Sequence, residues 1–180
     1  MSILAPSAIQ LSAALLSQGF TLRPETEDDT SFLGQLYAST REDELALVDW
    51  SAEQKQAFLA GQFQAQRHHY RTYLAGCSFD ILEYNGVPIG RLYLDVRPSR
   101  LHIADIALMP EWRGKGIGTA ILEMLIGMGS SMGKSVGIFV EKFNPALRLY
   151  RRLGFIEIQD TGVYLEMEWT ADGPAQVAVS

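Results

Sequence analysis

Ten residues, EWRGKGIGTA from Glu111 to Ala120, gather unusual chemistry in one place. Gly114, Gly116 and Gly118 alternate with other residues, Arg113 and Lys115 stand among them, and the apolar run ILEMLIGM follows as a buried helix. Glycines let a backbone approach a ligand closely and adopt positive φ. A helix start offers unpaired N–H groups and the positive end of a dipole. With two cations added, the stretch has the makings of an anion site the size of a diphosphate. The plainer alternative is a flexible strand-to-helix turn with solvated cations. Two familiar phosphate motifs fail here: Lys115 is followed by Gly116 rather than Ser or Thr, and Thr119 stands where a dinucleotide motif needs its third glycine.

Two flanking stretches add to this. In LHIADIAL, Leu101 and Ile103 alternate with polar residues, then Ile106 and Leu108 do so on the opposite parity. A one-residue slip at Ala104-Asp105 is what a β-bulge produces; equally, Ala104 is merely small in a strand buried on both faces. Further on, FNPALRLYRRLGF carries Asn144 as an N-cap, Pro145 at the first helical position and Gly154 as a left-handed C-cap. Ala146, Leu149, Tyr150 and Leu153 form one apolar stripe, so Tyr150 reads first as a core tyrosine with its hydroxyl at an edge.

The elements that would position these residues follow from periodicity. Residues 1–18 read as an N-terminal arm or short helix, 19–170 as a single domain, and 171–180 as a loose tail. GFTLRPET gives a first strand, and Asp28, Asp29 or Thr30 caps a helix to about Ala38. Ser51 and Gln54 form a capping box for a helix to about Arg71 or Tyr73, with Phe58, Leu59, Phe63 and Tyr70 along one side. FDILEY and VPIGRLYLDV pair across Asn85-Gly86, LHIADIAL follows, SVGIFVE comes after the glycine stretch and its helix, and FIEIQD and VYLEMEW close the order. Strands grouped in a meander and then linked through helices predict an α/β fold with a mixed sheet and helices on both faces.

The 180 residues suffice for one domain, and 47% apolar with 20% charged residues is ordinary for a globular chain. A net charge of −6 argues against nucleic acid or an anionic membrane as partner. No apolar run reaches membrane-spanning length. The start lacks the positive residues of a signal peptide, and the lone Cys77 fits a reducing cytosol, so a cytoplasmic location is expected. Cys77 has no catalytic signature around it and reads as an inert residue. His68 and His69 are adjacent and cannot share a helix face for a metal, so no metal is expected.

The run LMPEWRGKGIG resembles the acetyl-CoA motif of the GNAT family of N-acetyltransferases: Gln or Arg, two residues, Gly, one residue, then Gly or Ala. Arg113, Gly116 and Gly118 fill it. The 144–155 stretch resembles the family's second signature through Asn144, Leu149, Tyr150, Gly154 and Phe155, with Ala146 one place early. The resemblance implies the GNAT fold, a central mixed and mostly antiparallel sheet flanked by helices, with a bulged strand near 101–108. It implies acetyl-CoA as cofactor and CoA as product. The turn Arg113, Gly114, Lys115, Gly116, Ile117, Gly118 and Thr119 would hold the pyrophosphate. Ile106, Ala107 and Leu108 would pair with the pantetheine arm, and Asn144 would contact it or position a water. Tyr150 would be the general acid that protonates the leaving thiolate, after direct attack by an amine.

A base must also take the amine proton. Asp105 at the suspected bulge and Glu141 at the end of the next strand are candidates, directly or through water, with His102 a third. The resemblance places the acceptor wall at roughly Tyr37 to Trp50. There Glu42, Asp43 and Glu44 either attract a cationic amine or form a solvated face, and Tyr37 and Trp50 either line a pocket or pack in the core. The acceptor would be a small-molecule or protein amine, and a homodimer is expected. A non-catalytic acyl-CoA-binding sensor or assembly module is the alternative with the same fold.

Overall fold

The computed structural model describes residue 7 and residues 9–173. The first residues of the expected arm and residues 174–180 of the expected tail lie outside them. Helices α1 (Ala13–Ser17), α2 (Thr30–Ser39), α3 (Glu42–Ala46), α4 (Ala52–Tyr73), α5 (Ile117–Met132) and α6 (Leu147–Arg152) surround seven strands. The strands are β1 (Phe20–Pro24), β2 (Cys77–Tyr84), β3 (Val87–Val96), β4 (Arg100–Leu108), β5 (Ser135–Glu141), β6 (Ile156–Asp160) and β7 (Tyr164–Trp169). The sheet order is β1-β2-β3-β4-β5-β7-β6. Only β4 and β5 run parallel; every other neighbouring pair is antiparallel.

Local chemistry sets most of these boundaries. Asn85 and Gly86 hold φ of 47° and 80°, the left-handed pair that a two-residue hairpin turn between Tyr84 and Val87 requires. Ser51 Oγ accepts from the Gln54 N–H, and Gln54 Oε1 accepts from the Ser51 N–H at 2.9 Å, which starts α4 at Ala52. Gly154, at φ 97°, ends α6 in a Schellman motif: the Phe155 N–H donates to the Tyr150 carbonyl and the Gly154 N–H to that of Arg151. The start of α6 differs from expectation. Asn144 Oδ1 accepts from the Ala146 N–H and the Asn144 carbonyl from the Leu147 N–H, so Asn144 and Pro145 build a separate turn and the helix begins at Leu147.

The parity slip in β4 is a bulge. Tyr93 pairs with Asp105 and Leu94 with Ile103, so Ala104 has no partner on β3. The extra residue keeps Leu101, Ile103, Ile106 and Leu108 on one face, where they join the main core with Leu122, Leu125, Val136, Ile138 and Met167. Ile9, Leu11 and Leu15 from the N-terminal region belong to that core as well. The opposite face carries a smaller cluster of Leu33, Tyr37, Phe63 and Ile81 under α2 and α4. Phe58 does not join it: it is 42% exposed and meets Trp50 edge to face. The space between α4 and β3 is filled with polar groups instead.

His102 lies buried with Nδ1 unpartnered, edge-on to Phe139. Burial first, then the nearby Arg97 and Arg100, push its pKa down to about 4. The folded value is below the unfolded one near 6.5, so the unfolded chain takes the proton first as pH falls. Stability is full above about pH 6.5 and declines towards pH 4, by up to about 3 kcal/mol. In urea melts at pH 7, 5.5 and 4.5, His102→Gln should lose clearly less stability than wild type over that range; parallel losses would remove His102 as the cause.

Candidate active site

The glycine stretch is a turn of two left-handed residues leading into a helix. Gly114 and Gly116 hold φ of 70° and 82°, where a side chain would be strained. Gly116 is the N-cap residue of α5 and offers no side-chain cap. The first intrahelical bond runs from the Ala120 N–H to the Gly116 carbonyl. The N–H groups of Ile117, Gly118 and Thr119 therefore have no acceptor within the helix. A Cβ built on Gly114, Gly116 or Gly118 would meet nothing within 4 Å, so a ligand can come up to this backbone. Ile117 is buried and pins the helix start to the core. Alongside lies a cleft of about 650 Å³ lined by Phe20, Tyr84, Trp112, Lys115 and Gly116 among others. Lys115 Nζ sits 5.2 Å over the Trp112 ring, while Arg113 is committed to the protein. Its Nε donates to the Leu108 carbonyl at 2.9 Å and an Nη to Ser39 Oγ at 3.0 Å.

The strand before the turn is paired on one side only. β4 meets β5 from Arg100 to Ile103 and no further, while its pairing with β3 continues to Leu108. The Met109 N–H donates to the Ile89 carbonyl, which fixes the alternation. Met109 and Ala107 aim their backbone groups at β3; Ile106 and Leu108 aim theirs at the gap left by β5. Arg113 takes the Leu108 carbonyl. What stays open in the gap is the Ile106 N–H and C=O and the Leu108 N–H, a short stretch of edge ready to pair with an extended amide-bearing chain.

Tyr150 projects from α6 into the core, 4% exposed and edge-on to Phe155. Burial, then the charge of Asp105, raise its pKa well above the usual phenol range, so the hydroxyl keeps its proton. No protein group among the described residues hydrogen-bonds it. Asp105 sits next to the bulge, and Oδ2 is doubly engaged: it accepts from Arg91 at 2.6 Å and from the Tyr70 hydroxyl at 3.3 Å. Glu141, at the end of β5, is paired with Arg41 at 3.0 Å. Asn144 is exposed in the turn after β5, its side chain engaged with the Ala146 N–H. Tyr37 is buried against Phe63 and beneath the Arg41 guanidinium. Cys77 is buried, its thiol pushed up to about 12 by burial and by Asp95, which suits an inert residue. Among the described residues no cluster of three metal-ligating side chains exists.

Sequence reasoning missed Arg91 and Tyr70. Arg91 is only 3% exposed, reaches Asp105 and Gln66, and lies 5.0 Å over the Tyr93 ring. It belongs to a charged layer under α4 in which Glu25 pairs with Arg71 at 3.2 Å and accepts from the Tyr93 hydroxyl. One signal was available: Gln66 interrupts the apolar stripe of α4 between Phe63 and Tyr70, which marks a polar partner beneath.

The profile of the Acetyltransferase (GNAT) family matches residues 35–155. An L-amino acid N-acetyltransferase, AaaT, of Escherichia coli (strain K12) is 31% identical over 86 residues, which are 43% of this chain and 52% of that protein. The cysteine-rich protein 2-binding protein of Mus musculus is 38% identical over 69 residues, 38% of this chain and 9% of that protein. The chain thus spans about half of the bacterial relative and a small part of the mouse one. The crystal structure of the PaiA N-acetyltransferase from Thermoplasma acidophilum in complex with coenzyme A has the same fold, with a TM-score of 0.63 at 18% identity over 84% of this chain and 98% of that one. With a seven-stranded, mostly antiparallel sheet, a bulged β4 and a family match over more than half its length, the chain belongs to the GNAT acetyltransferase family.

Proposed function

We propose that the chain is an acetyl-CoA-dependent N-acetyltransferase that passes the acetyl group directly to an amine. The observation that carries the reading is the strand edge left open at Ile106 and Leu108 where β4 parts from β5; unpaired N–H groups at the start of α5 and a protonated, unpartnered hydroxyl on Tyr150 support it. These residues fit the cofactor. The edge matches the amides of a pantetheine arm, and the N–H groups of Gly116, Ile117, Gly118 and Thr119 suit a pyrophosphate, with Lys115 adding positive charge. The bound thioester supplies an activated acetyl carbon.

The chain's own residues do the rest. The strand edge and the turn orient the thioester, which removes much of the entropic barrier to attack. Asp105 and Glu141 are the carboxylates on the acceptor side, and either can accept the proton the amine must lose, directly or through water. Arg91 and Tyr70 occupy Oδ2 of Asp105 and leave Oδ1 for the amine. Tyr150 donates its hydrogen bond to sulfur as negative charge develops there. An ammonium acceptor first gives one proton to the base and on to solvent. Then, as the C–N bond forms and the C–S bond breaks, a second proton leaves nitrogen and one reaches sulfur, so the transfer releases one proton overall. Cys77 takes no part, in keeping with transfer that has no acyl-enzyme. A single buried cysteine also suits the reducing cytosol in which acetyl-CoA is used.

Tyr150→Phe tests the assignment. Calorimetry should find acetyl-CoA affinity within about twofold of wild type, and kcat should fall by roughly 10²-fold on any accepted amine. Unchanged turnover would take Tyr150 out of the mechanism, and a protein that binds acetyl-CoA yet acetylates no amine would point to a sensor. Arg91→Met would leave Asp105 at the gap without its counterion. It should destabilise the fold by about 3 kcal/mol in urea melts and lower kcat/KM for the amine, with Arg91→Lys recovering part of both.

A further inference from the structure

We propose that the surface formed by α3 and the start of α4 docks a basic, apolar polypeptide segment, so that the acceptor amine is carried on a peptide or protein. The proposal rests on the acetyl-transfer reading above and names its substrate class. Leu47 is 90% exposed, and Trp50 and Phe58 are 42% exposed. The two aromatic rings meet edge to face at 5.3 Å, which holds them as a fixed platform rather than two loose side chains. Large apolar groups clustered at a rim in this way mark an interaction surface. The start of α3 adjoins the proposed site: Arg41, the residue before α3, pairs with Glu141 at the end of β5, and the platform follows along the same segment.

Charge identifies the occupant. Glu42, Asp43, Glu44, Asp49 and Glu53 are all exposed, and between Arg41 and Phe58 the one cation is the half-buried Lys55, so the surface is net acidic. Among the described residues only Glu44 has an ion-pair partner, Arg41. A second copy docked by two-fold symmetry would bring the same five carboxylates against one another, which disfavours a dimer through this face. A free small amine would satisfy the carboxylates but leave the platform of Leu47, Trp50 and Phe58 bare. A segment in which Lys or Arg residues alternate with Leu or Phe satisfies both the charge and the apolar platform.

The test uses the full chain and three probes: a twelve-residue peptide of alternating basic and apolar residues with one free amine, the same peptide with its basic residues replaced by Glu, and free lysine. Calorimetry should show the basic peptide binding at least tenfold tighter than either control, with or without acetyl-CoA. Trp50→Ala and Phe58→Ala should each weaken peptide binding about tenfold, leaving acetyl-CoA affinity within twofold. Adding salt should weaken the wild-type complex. Equal affinity for the three probes, or no effect of Trp50→Ala and Phe58→Ala on peptide binding, would overturn the proposal. So would a dimer in sedimentation that Trp50→Ala dissociates. Failure to bind acetyl-CoA would instead strike the transfer reading, and the peptide titration would still judge the docking surface.

Discussion

Ala104 is a single residue without a partner, and much of the site follows from it. Because side chains alternate along a strand, one extra residue reverses which face the rest of β4 presents. Without the bulge, Ile106 and Leu108 would turn out of the main core and Asp105 would turn into it. With it, the apolar residues stay against the core while the strand bends where it parts from β5. The bend leaves Ile106 and Leu108 unpaired on one edge and places Asp105 at the mouth of the opening. The proposed binding edge and the proposed acceptor-side carboxylate thus share one cause in the backbone.

An unpaired edge and a carboxylate at a gap need support from their surroundings. The support comes from arginines. Arg91, nearly fully buried, spans from β3 to Asp105, and burying a guanidinium is tolerable because Asp105, Gln66 and the Tyr93 ring all face it. Arg113 ties the glycine turn both to the end of β4 and to Ser39 at the end of α2. Arg41 ties the corner after α2 to Glu141 on β5. The glycine turn, the corner after α2 and the split strands are thereby linked by arginines, of which Arg41 and Arg91 are paired with carboxylates. Neither cation of the turn has an ion-pair partner among the described residues, but Arg113 is held by two neutral acceptors while Lys115 lies over Trp112, so on the proposed reading backbone N–H groups and Lys115 meet the anion.

The features visible in the sequence were those with local causes. The hairpin at Asn85-Gly86, the capping box at Ser51 and the left-handed cap at Gly154 each depend on a few adjacent residues, and β4's slip shows in parity alone. Asn144-Pro145 misled because the same residues that cap a helix also build an isolated turn, and only the chain's exit from β5 decides between them. Arg91 and Tyr70 were hidden for a different reason. Their partner Asp105 lies 14 and 35 residues away, so the contact exists only once β3, β4 and α4 are assembled. Phe58 looked like core, yet at about 100° per residue it lies well round the helix from Leu59, Phe63 and Tyr70, and it packs on Trp50 instead. The role of Arg113 was also indistinct, since a cation in a glycine turn reads as an anion ligand until its hydrogen bonds are seen.

Hydrogen exchange of the backbone amides, with and without saturating acetyl-CoA, tests the central claim most directly. The account predicts slowed exchange at Ile106 and Leu108 and from Gly114 to Thr119, with Ala107 unaffected because its N–H already faces β3, and no such change with NADPH. Acetyl-CoA binding that protects some other part of the chain, or leaves the β4 edge and the start of α5 exchanging as before, would contradict it.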